Sequence, residues 1–305
     1  MFKLKIENET DDLEAVLLGA ARSPGPVPSL EEAYDPKSKY FIRKGEYPKE
    51  EDMVKEMTAF VNVLEKYGVE VYRPEVLTDV NQVFSRDIFF VIGDKLVIPN
   101  ILKDRRGETQ AVQYLLDKID SEQILRMPEG ARAEGGDVMP WNGHIFVGYS
   151  KPEDFAKYEV SRTNQAGVDF LVDNFKDWKV HAFELNKSDD DPRQNALHLD
   201  CCFQPIGKDK AILFPGGFKN QEDVDFLVDF FGKENIIEID REEMYHMYSN
   251  VFSISPTVIV SENNFNRLNS LLREKGFTVE TIPYGEISKQ EGLLRCSTMP
   301  LRRRS

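Results

Sequence analysis

Four stretches of this chain carry groups able to act on a small cationic molecule. They are Ser85-Arg86-Asp87, Glu134-Gly135-Gly136-Asp137, His198-Leu199-Asp200, and a thiol, Cys296, within Gly292–Arg303. A thiolate is a strong nucleophile, and a nearby imidazolium or cationic substrate favours its ionised form. An imidazole can carry a proton between reacting groups. Carboxylates match the planar fork of a guanidinium through paired hydrogen bonds. Taken singly, each stretch has a plain reading. A lone Cys in an apolar strand is usually an inert core residue, a bare H-x-D is usually a surface histidine beside a solvated acid, and Glu-Gly-Gly-Asp can be an ordinary turn. The set acquires meaning only if the fold brings the stretches together.

The elements that must do this form a rhythm. An apolar hairpin is followed by a helix and a further strand. The first unit reads as Ile88–Val91, a Gly93-Asp94 turn, Lys95–Pro99, a helix over Gly107–Ile119 and a strand over Gln123–Met127. The second is Gly136–Pro140, an Asn142-Gly143 turn, His144–Tyr149, a helix over Arg162–Phe175 and a strand over Trp178–Leu185. Asn-Gly is a strong hairpin signal because both residues accept positive φ. A third unit starts at His198 and a fourth at Val251. A fifth is completed only across the termini, with Leu293–Met299 pairing with Leu13–Leu18. Units of roughly 60 residues suggest a closed repeat architecture without free sheet edges.

Three of the expected hairpins open on carboxylates: Asp87, then Glu134 and Asp137, then Asp200. His198 and Asp200 are expected on one face of a strand, by its two-residue period, and Cys296 in the strand that closes the ring. Equivalent strand ends of a ring converge, so these acids should meet and repel unless a bound guanidinium compensates them. Ser23–Gly45 and Ser188–Asn195 read as long loops able to cover such a site.

Composition narrows the classes. The chain has 305 residues, 41% hydrophobic, with a net charge of −14. That charge disfavours nucleic acid and anionic membrane surfaces as partners. No apolar run approaches a membrane span, and the N-terminal segment lacks a signal-peptide core, so the cytoplasm is the expected location. Three cysteines, two of them adjacent (Cys201 and Cys202), fit free thiols, and these two are read as core residues. The four histidines show no helical ligand pair, so no metal and no cofactor is expected.

The motifs resemble the guanidine-modifying superfamily of arginine deiminases, dimethylarginine dimethylaminohydrolases and arginine amidinotransferases. Phe84-Ser85-Arg86-Asp87 looks like its F-x-R-D, Arg105-Arg106-Gly107-Glu108-Thr109 like its R-R-x-E, and Glu134–Asp137 like its E-G-G-D. Ser161-Arg162-Thr163-Asn164-Gln165 is similar to its S-x-R-T-N, His198–Asp200 to its H-x-D, and Cys296 to its late nucleophile. The resemblance implies a five-bladed ββαβ (β/α) propeller with pseudo-fivefold symmetry, closed by the N- and C-terminal strands, as a single catalytic domain over 1–305. It implies that Cys296 attacks the guanidinium carbon and that His198 transfers protons. Asp87 and Asp200 would grip the nitrogens, and Glu134 would hold His198 or the substrate. Arg105, Arg106 and Arg162 are the candidates for a substrate carboxylate, and Arg86 and Asp137 complete the implied substrate-binding set. Hydrolysis of arginine or a substituted arginine to citrulline and an amine is expected, with transfer of the amidino group to an amine acceptor as the alternative. The expected partner is a small cationic guanidine, with no nucleic acid or membrane, and homodimer formation is left open.

Overall fold

In the computed structural model, which describes residues 2–304 apart from the side chains of Asp104 and Arg106, five three-stranded sheets repeat one plan. The first begins with β1 (Asp12–Leu18), crosses α1 (Pro36–Lys44) and α2 (Glu50–Lys66), and returns as β2 (Glu70–Tyr72). The second is β3 (Phe90–Ile92), β4 (Lys95–Ile98), α3 (Gln113–Leu116) and β5 (Ile124–Arg126). The third is β6 (Val138–Trp141), β7 (His144–Tyr149), α4 (Pro152–Lys157), α5 (Gln165–Asn174) and β8 (Lys179–Glu184). The fourth is β9 (Phe203–Ile206), β10 (Lys210–Leu213), α6 (Gln221–Phe231) and β11 (Ile236–Glu238). After α7 (Arg241–Tyr245), the fifth is β12 (Phe252–Ser255), β13 (Val258–Glu262), α8 (Asn266–Glu274) and β14 (Thr278–Ile282). β15 (Thr298–Arg304) then runs antiparallel to β1, so the two ends of the chain share one sheet.

In each sheet an antiparallel pair takes a third, parallel strand. A parallel neighbour needs a crossover, which the intervening helical segment supplies. The hairpins turn where the sequence predicts: Gly93 has φ +58°, and Asn142 and Gly143 have φ +48° and +82°. Strands β3, β6 and β9 are buried along their whole length, which fits their largely apolar sequences. Their side chains fill two apolar cores.

Two expectations are corrected here. Residues Lys103–Val112 form 3-10 turns, and only Gln113–Leu116 is α-helical. Gly107 weakens an α-helix there, and a 3-10 turn brings residues i and i+3 into line. This lets Arg105 and Glu108 pair at 2.8 Å. The segment read as the loop Ser23–Gly45 contains α1, whose N-terminus Asp35 caps by accepting from the Ser38 amide at 2.7 Å.

Candidate active site

The chemistry-bearing residues sit in short turns just ahead of the strands. Ser85–Asp87, Gly135–Asp137 and Leu199–Cys201 are each a 3-10 turn. Cys296 lies in the turn preceding β15. The reading of His198 and Asp200 as alternate residues of a strand, and of Cys296 as a strand residue, is therefore corrected. Local turns let several side chains and backbone amides from one segment point inward, which a pleated strand cannot do.

These turns pack against one another and are laced by hydrogen bonds. The Arg86 amide donates to the Cys296 carbonyl at 3.0 Å. The Gly136 amide donates to Asp87 Oδ1 at 3.2 Å, and the Leu199 amide to Asp137 Oδ1 at 2.9 Å. The glycines serve close approach, since neither Gly135 nor Gly136 has positive φ. A Cβ on Gly135 would stand 2.0 Å from the Arg86 carbonyl oxygen, and one on Gly136 2.5 Å from His198 Nδ1. Gly135→Ala must shift backbone and is expected to lower stability by about 1–3 kcal/mol in chemical denaturation. Gly136→Ala meets a side chain and should cost turnover more than stability.

Cys296 is 3% exposed, and its sulfur lies 3.6 Å from Asp200 Oδ2. Burial pushes its thiol well above the ordinary range, and the carboxylates of Asp200 and Asp87 push it further. Asn250, a residue the motifs do not mark, brackets it. Its Nδ2 donates to the sulfur at 3.2 Å, and its Oδ1 accepts from the Cys296 and Arg295 amides at 3.2 and 3.0 Å. Cys201 and Cys202 are buried in the apolar core.

His198 Nε2 is 2.9 Å from Glu134 Oε2, and its Nδ1 is 4.0 Å from Asp87 Oδ1. Burial alone disfavours the imidazolium, but Asp87, Asp137 and Glu134 more than offset it and raise the pKa from 6.5 to about 9. Burial likewise opposes the Glu134 anion. The His198 hydrogen bond and the Arg162 charge win, taking it from 4.5 to about 2. The His198 contribution to stability is thus complete below about 6.5 and lost as pH rises through about 9. The Glu134 contribution is present above about 4.5 and lost as pH falls toward 2. The melting-temperature difference between the native chain and His198→Gln should accordingly be largest near pH 5–6.5 and shrink toward pH 9.

Three of the four site carboxylates already have a guanidinium of the chain, and the fourth, Asp137, is held by Thr163 and the Leu199 amide. Arg105 Nη1 donates to Asp87 Oδ2 at 2.8 Å, Arg295 Nη1 to Asp200 Oδ2 at 2.9 Å, and Arg162 Nε lies 3.6 Å from Glu134 Oε2. The expectation that these acids repel until a ligand arrives is therefore corrected: the resting site is charge-balanced. One buried acceptor, Glu134 Oε1, has no hydrogen-bond partner.

The remaining residues of the expected set are placed as follows. Asp137 accepts from Thr163 Oγ1 at 2.6 Å and from the Leu199 amide, bracing the His198 turn. Arg86 reaches the Arg295 carbonyl at 3.2 Å and Glu9 at 3.9 Å, next to the Cys296 turn. Arg162 also donates to the carbonyls of Glu159 and Tyr34. The Arg106 side chain lies outside the described residues. The two covering segments meet at Glu291: its carboxylate accepts from the Lys37 amide at 3.3 Å and from Asn195 Nδ2 at 2.7 Å.

Asp87, Glu134 and His198 hold donor atoms within 4.8 Å of one another. One edge of that trio is the 2.9 Å contact between His198 Nε2 and Glu134 Oε2. Among the described residues no helix is long and apolar enough to cross a membrane.

Comparison with known proteins supplies the context. Residues 32–303 match the family described as N,N dimethylarginine dimethylhydrolase, eukaryotic. An uncharacterized protein of Bacillus subtilis, YkgA, is 29% identical over 244 residues, covering 79% of this chain and 77% of that protein. An arginine deiminase of Streptococcus agalactiae is 25% identical over 73% of this chain. The match spans 60% of the deiminase's length. Among solved structures, the SxtG amidinotransferase of Microseira wollei shares the fold, with a TM-score of 0.77 at 18% identity over 99% of this chain and 98% of its own. The product-bound N-terminal domain of ArgZ, a cyanobacterial arginine dihydrolase, also has a TM-score of 0.77, at 18% identity over 96% and 98% of the two chains.

Proposed function

The chain belongs to the N,N dimethylarginine dimethylhydrolase family, within the guanidine-modifying superfamily, and from that premise we propose that it hydrolyses arginine or a substituted arginine through a covalent intermediate on Cys296. The observation that carries this reading is the Cys296 sulfur lying 3.6 Å from Asp200 Oδ2 in a buried site that also holds the His198–Glu134 pair. We also read the five sheets as blades of one closed five-bladed ββαβ propeller, a single catalytic domain, working in the cytoplasm.

A guanidinium entering the site binds Asp87 and Asp200, and the free Oε1 of Glu134 accepts one of its N–H groups. Its positive charge offsets the carboxylates that hold the thiol protonated, so the Cys296 proton passes to solvent, where it later protonates the departed amine. The thiolate attacks the guanidinium carbon and forms the C–S bond. The His198 imidazolium donates its proton to the leaving nitrogen, the C–N bond breaks, and an amine departs. The neutral imidazole then takes a proton from water as its oxygen adds to the same carbon. The C–S bond breaks as the remaining proton of the added oxygen passes to the sulfur, leaving a ureido product and the free thiol. Asn250 steadies the sulfur throughout. Arg105 and Arg162, released from Asp87 and Glu134 as the guanidinium binds, are available to a substrate carboxylate.

The activity in the matching family's description is a hydrolysis, which favours water as the second nucleophile. Cys296, His198, Asp87, Glu134 and Asp200 are all at most 4% exposed. Incubation with arginine, methylated arginines and agmatine, with and without glycine, tests the reading. Citrulline in the absence of glycine supports hydrolysis. Guanidinoacetate formed only with glycine shows amidino transfer instead. No turnover across the panel opposes both.

A further inference from the structure

The residue before the nucleophile is the most heavily bonded side chain at the site, and no motif reading accounts for it. Arg295 is 0% exposed. Its Nε and Nη2 donate to the two oxygens of Glu9, each at 3.1 Å. Its Nη1 donates to Asp200 Oδ2 at 2.9 Å and lies 3.3 Å from the carbonyls of Gly135 and Gly136. Its Nη2 also donates to the Val138 carbonyl at 2.9 Å. One rigid fork thus touches the Glu-Gly-Gly-Asp turn, the His-x-Asp turn and the N-terminal segment, from a position adjacent to the nucleophile.

Glu9 comes from outside the five repeated units. The segment leading to it bridges the sheets, through Ile6 to Gly93 and Asn8 to Trp141. Burial opposes the Glu9 anion, but Arg295 and Arg86 hold its carboxyl below the ordinary range. Burial also opposes the Arg295 cation, and Glu9 and Asp200 hold it charged. An ion pair of this depth is costly unless its geometry is complete, and here all three guanidinium nitrogens are bonded.

Resting on the proposed reaction, we infer that Arg295, set by Glu9, is a positioning residue that fixes the orientation of the Asp200 carboxylate against the Cys296 sulfur and places a cation behind it. Asp200 Oδ2 accepts from Arg295 on one side and from the thiol on the other. The arginine therefore decides where that oxygen stands and how much negative charge the sulfur meets. The carboxylates of Asp200 and Asp87 act most strongly on the sulfur, and the Cys201 thiol and the Tyr284 hydroxyl are near enough to feel its charge. Arg295 is the cation directly bonded to the carboxylate beside the thiol, and Glu9 its counter-anion. Removing one should move the thiol opposite to removing the other.

The test is the pH profile of Cys296 alkylation by iodoacetamide, followed on the peptide bearing that residue, in the full chain without substrate. Arg295→Gln should raise the midpoint by about one pH unit or more. Arg295→Lys, which keeps the charge but loses the fork, should recover part of the shift. Glu9→Gln should lower the midpoint. Turnover at fixed pH should fall about tenfold or more in Arg295→Gln, mainly in kcat. Midpoints that do not move, or that move the same way in Arg295→Gln and Glu9→Gln, overturn the inference. If Arg295→Gln fails to fold, Glu9→Gln and Arg295→Lys decide it by the same signs. The titration needs no substrate. Opposite shifts without turnover in the native chain would therefore refute the proposed reaction and leave the positioning role standing.

Discussion

Cys296→Ser is expected to lower guanidine turnover on the order of a thousandfold or more, while leaving the fold and guanidine binding in place. A hydroxyl is a far weaker nucleophile than a thiolate, and the electrostatics of this site do nothing to ionise it. Asp200 and Asp87 border the position with negative charge. The carboxylates proposed to bind the guanidinium are untouched, so the variant should still be stabilised by arginine or a methylated arginine in a thermal shift. Loss of turnover together with loss of ligand stabilisation would point to a collapsed site instead. Turnover within a few fold of the native chain would remove Cys296 from the reaction.

His198→Gln is expected to cost about 10²–10⁴-fold in turnover, since both C–N cleavage and attack of water need a proton carrier. The amide can still bond to Glu134 but cannot give or take a proton at neutral pH. Covalent loading with a substrate bearing a better leaving group should be less impaired than loading with arginine, because a good leaving group depends less on protonation. Glu134→Gln should lower turnover in the same direction. In it the imidazole loses a hydrogen bond and a charge that hold it protonated near pH 9. Its pH–rate profile should therefore lose activity at a lower pH than the native profile. Equal impairment with all substrates and an unchanged pH profile would argue that His198 only fills space.

Much of the fold was legible because its signals are local. Asn142-Gly143 announces a hairpin by its own backbone preferences, and the continuous apolar strands announce burial. The motif residues could be picked out because carboxylates open three of the apolar hairpins, one set of them beside paired glycines, and because their order along the chain resembles a known family. Three features were not legible. The 3-10 character of Leu199–Cys201 and Lys103–Val112 follows from tertiary partners such as the Arg105–Glu108 pair, which propensity does not encode. The balancing of Asp87, Glu134 and Asp200 by Arg105, Arg162 and Arg295 depends on which side chains meet across the units. Glu9 and Arg295 pair across almost the whole chain, and Asn250 reaches Cys296 from the connection ahead of β12. No periodicity links such residues. Their one visible sign was position: Arg295 is an arginine inside an otherwise apolar run beside the nucleophile.

Covalent catalysis by Cys296 is read from the mass of the Cys296 peptide after acid quenching of the protein during turnover with arginine. Hydrolysis by this route leaves an adduct on Cys296 that retains the whole amino acid less ammonia, absent from Cys296→Ser. An adduct carrying only the amidino group would show that ornithine leaves first, as amidino transfer requires. Turnover with no adduct on Cys296 under any quench, or an adduct on Cys201 or Cys202 instead, would rule Cys296 out as the nucleophile.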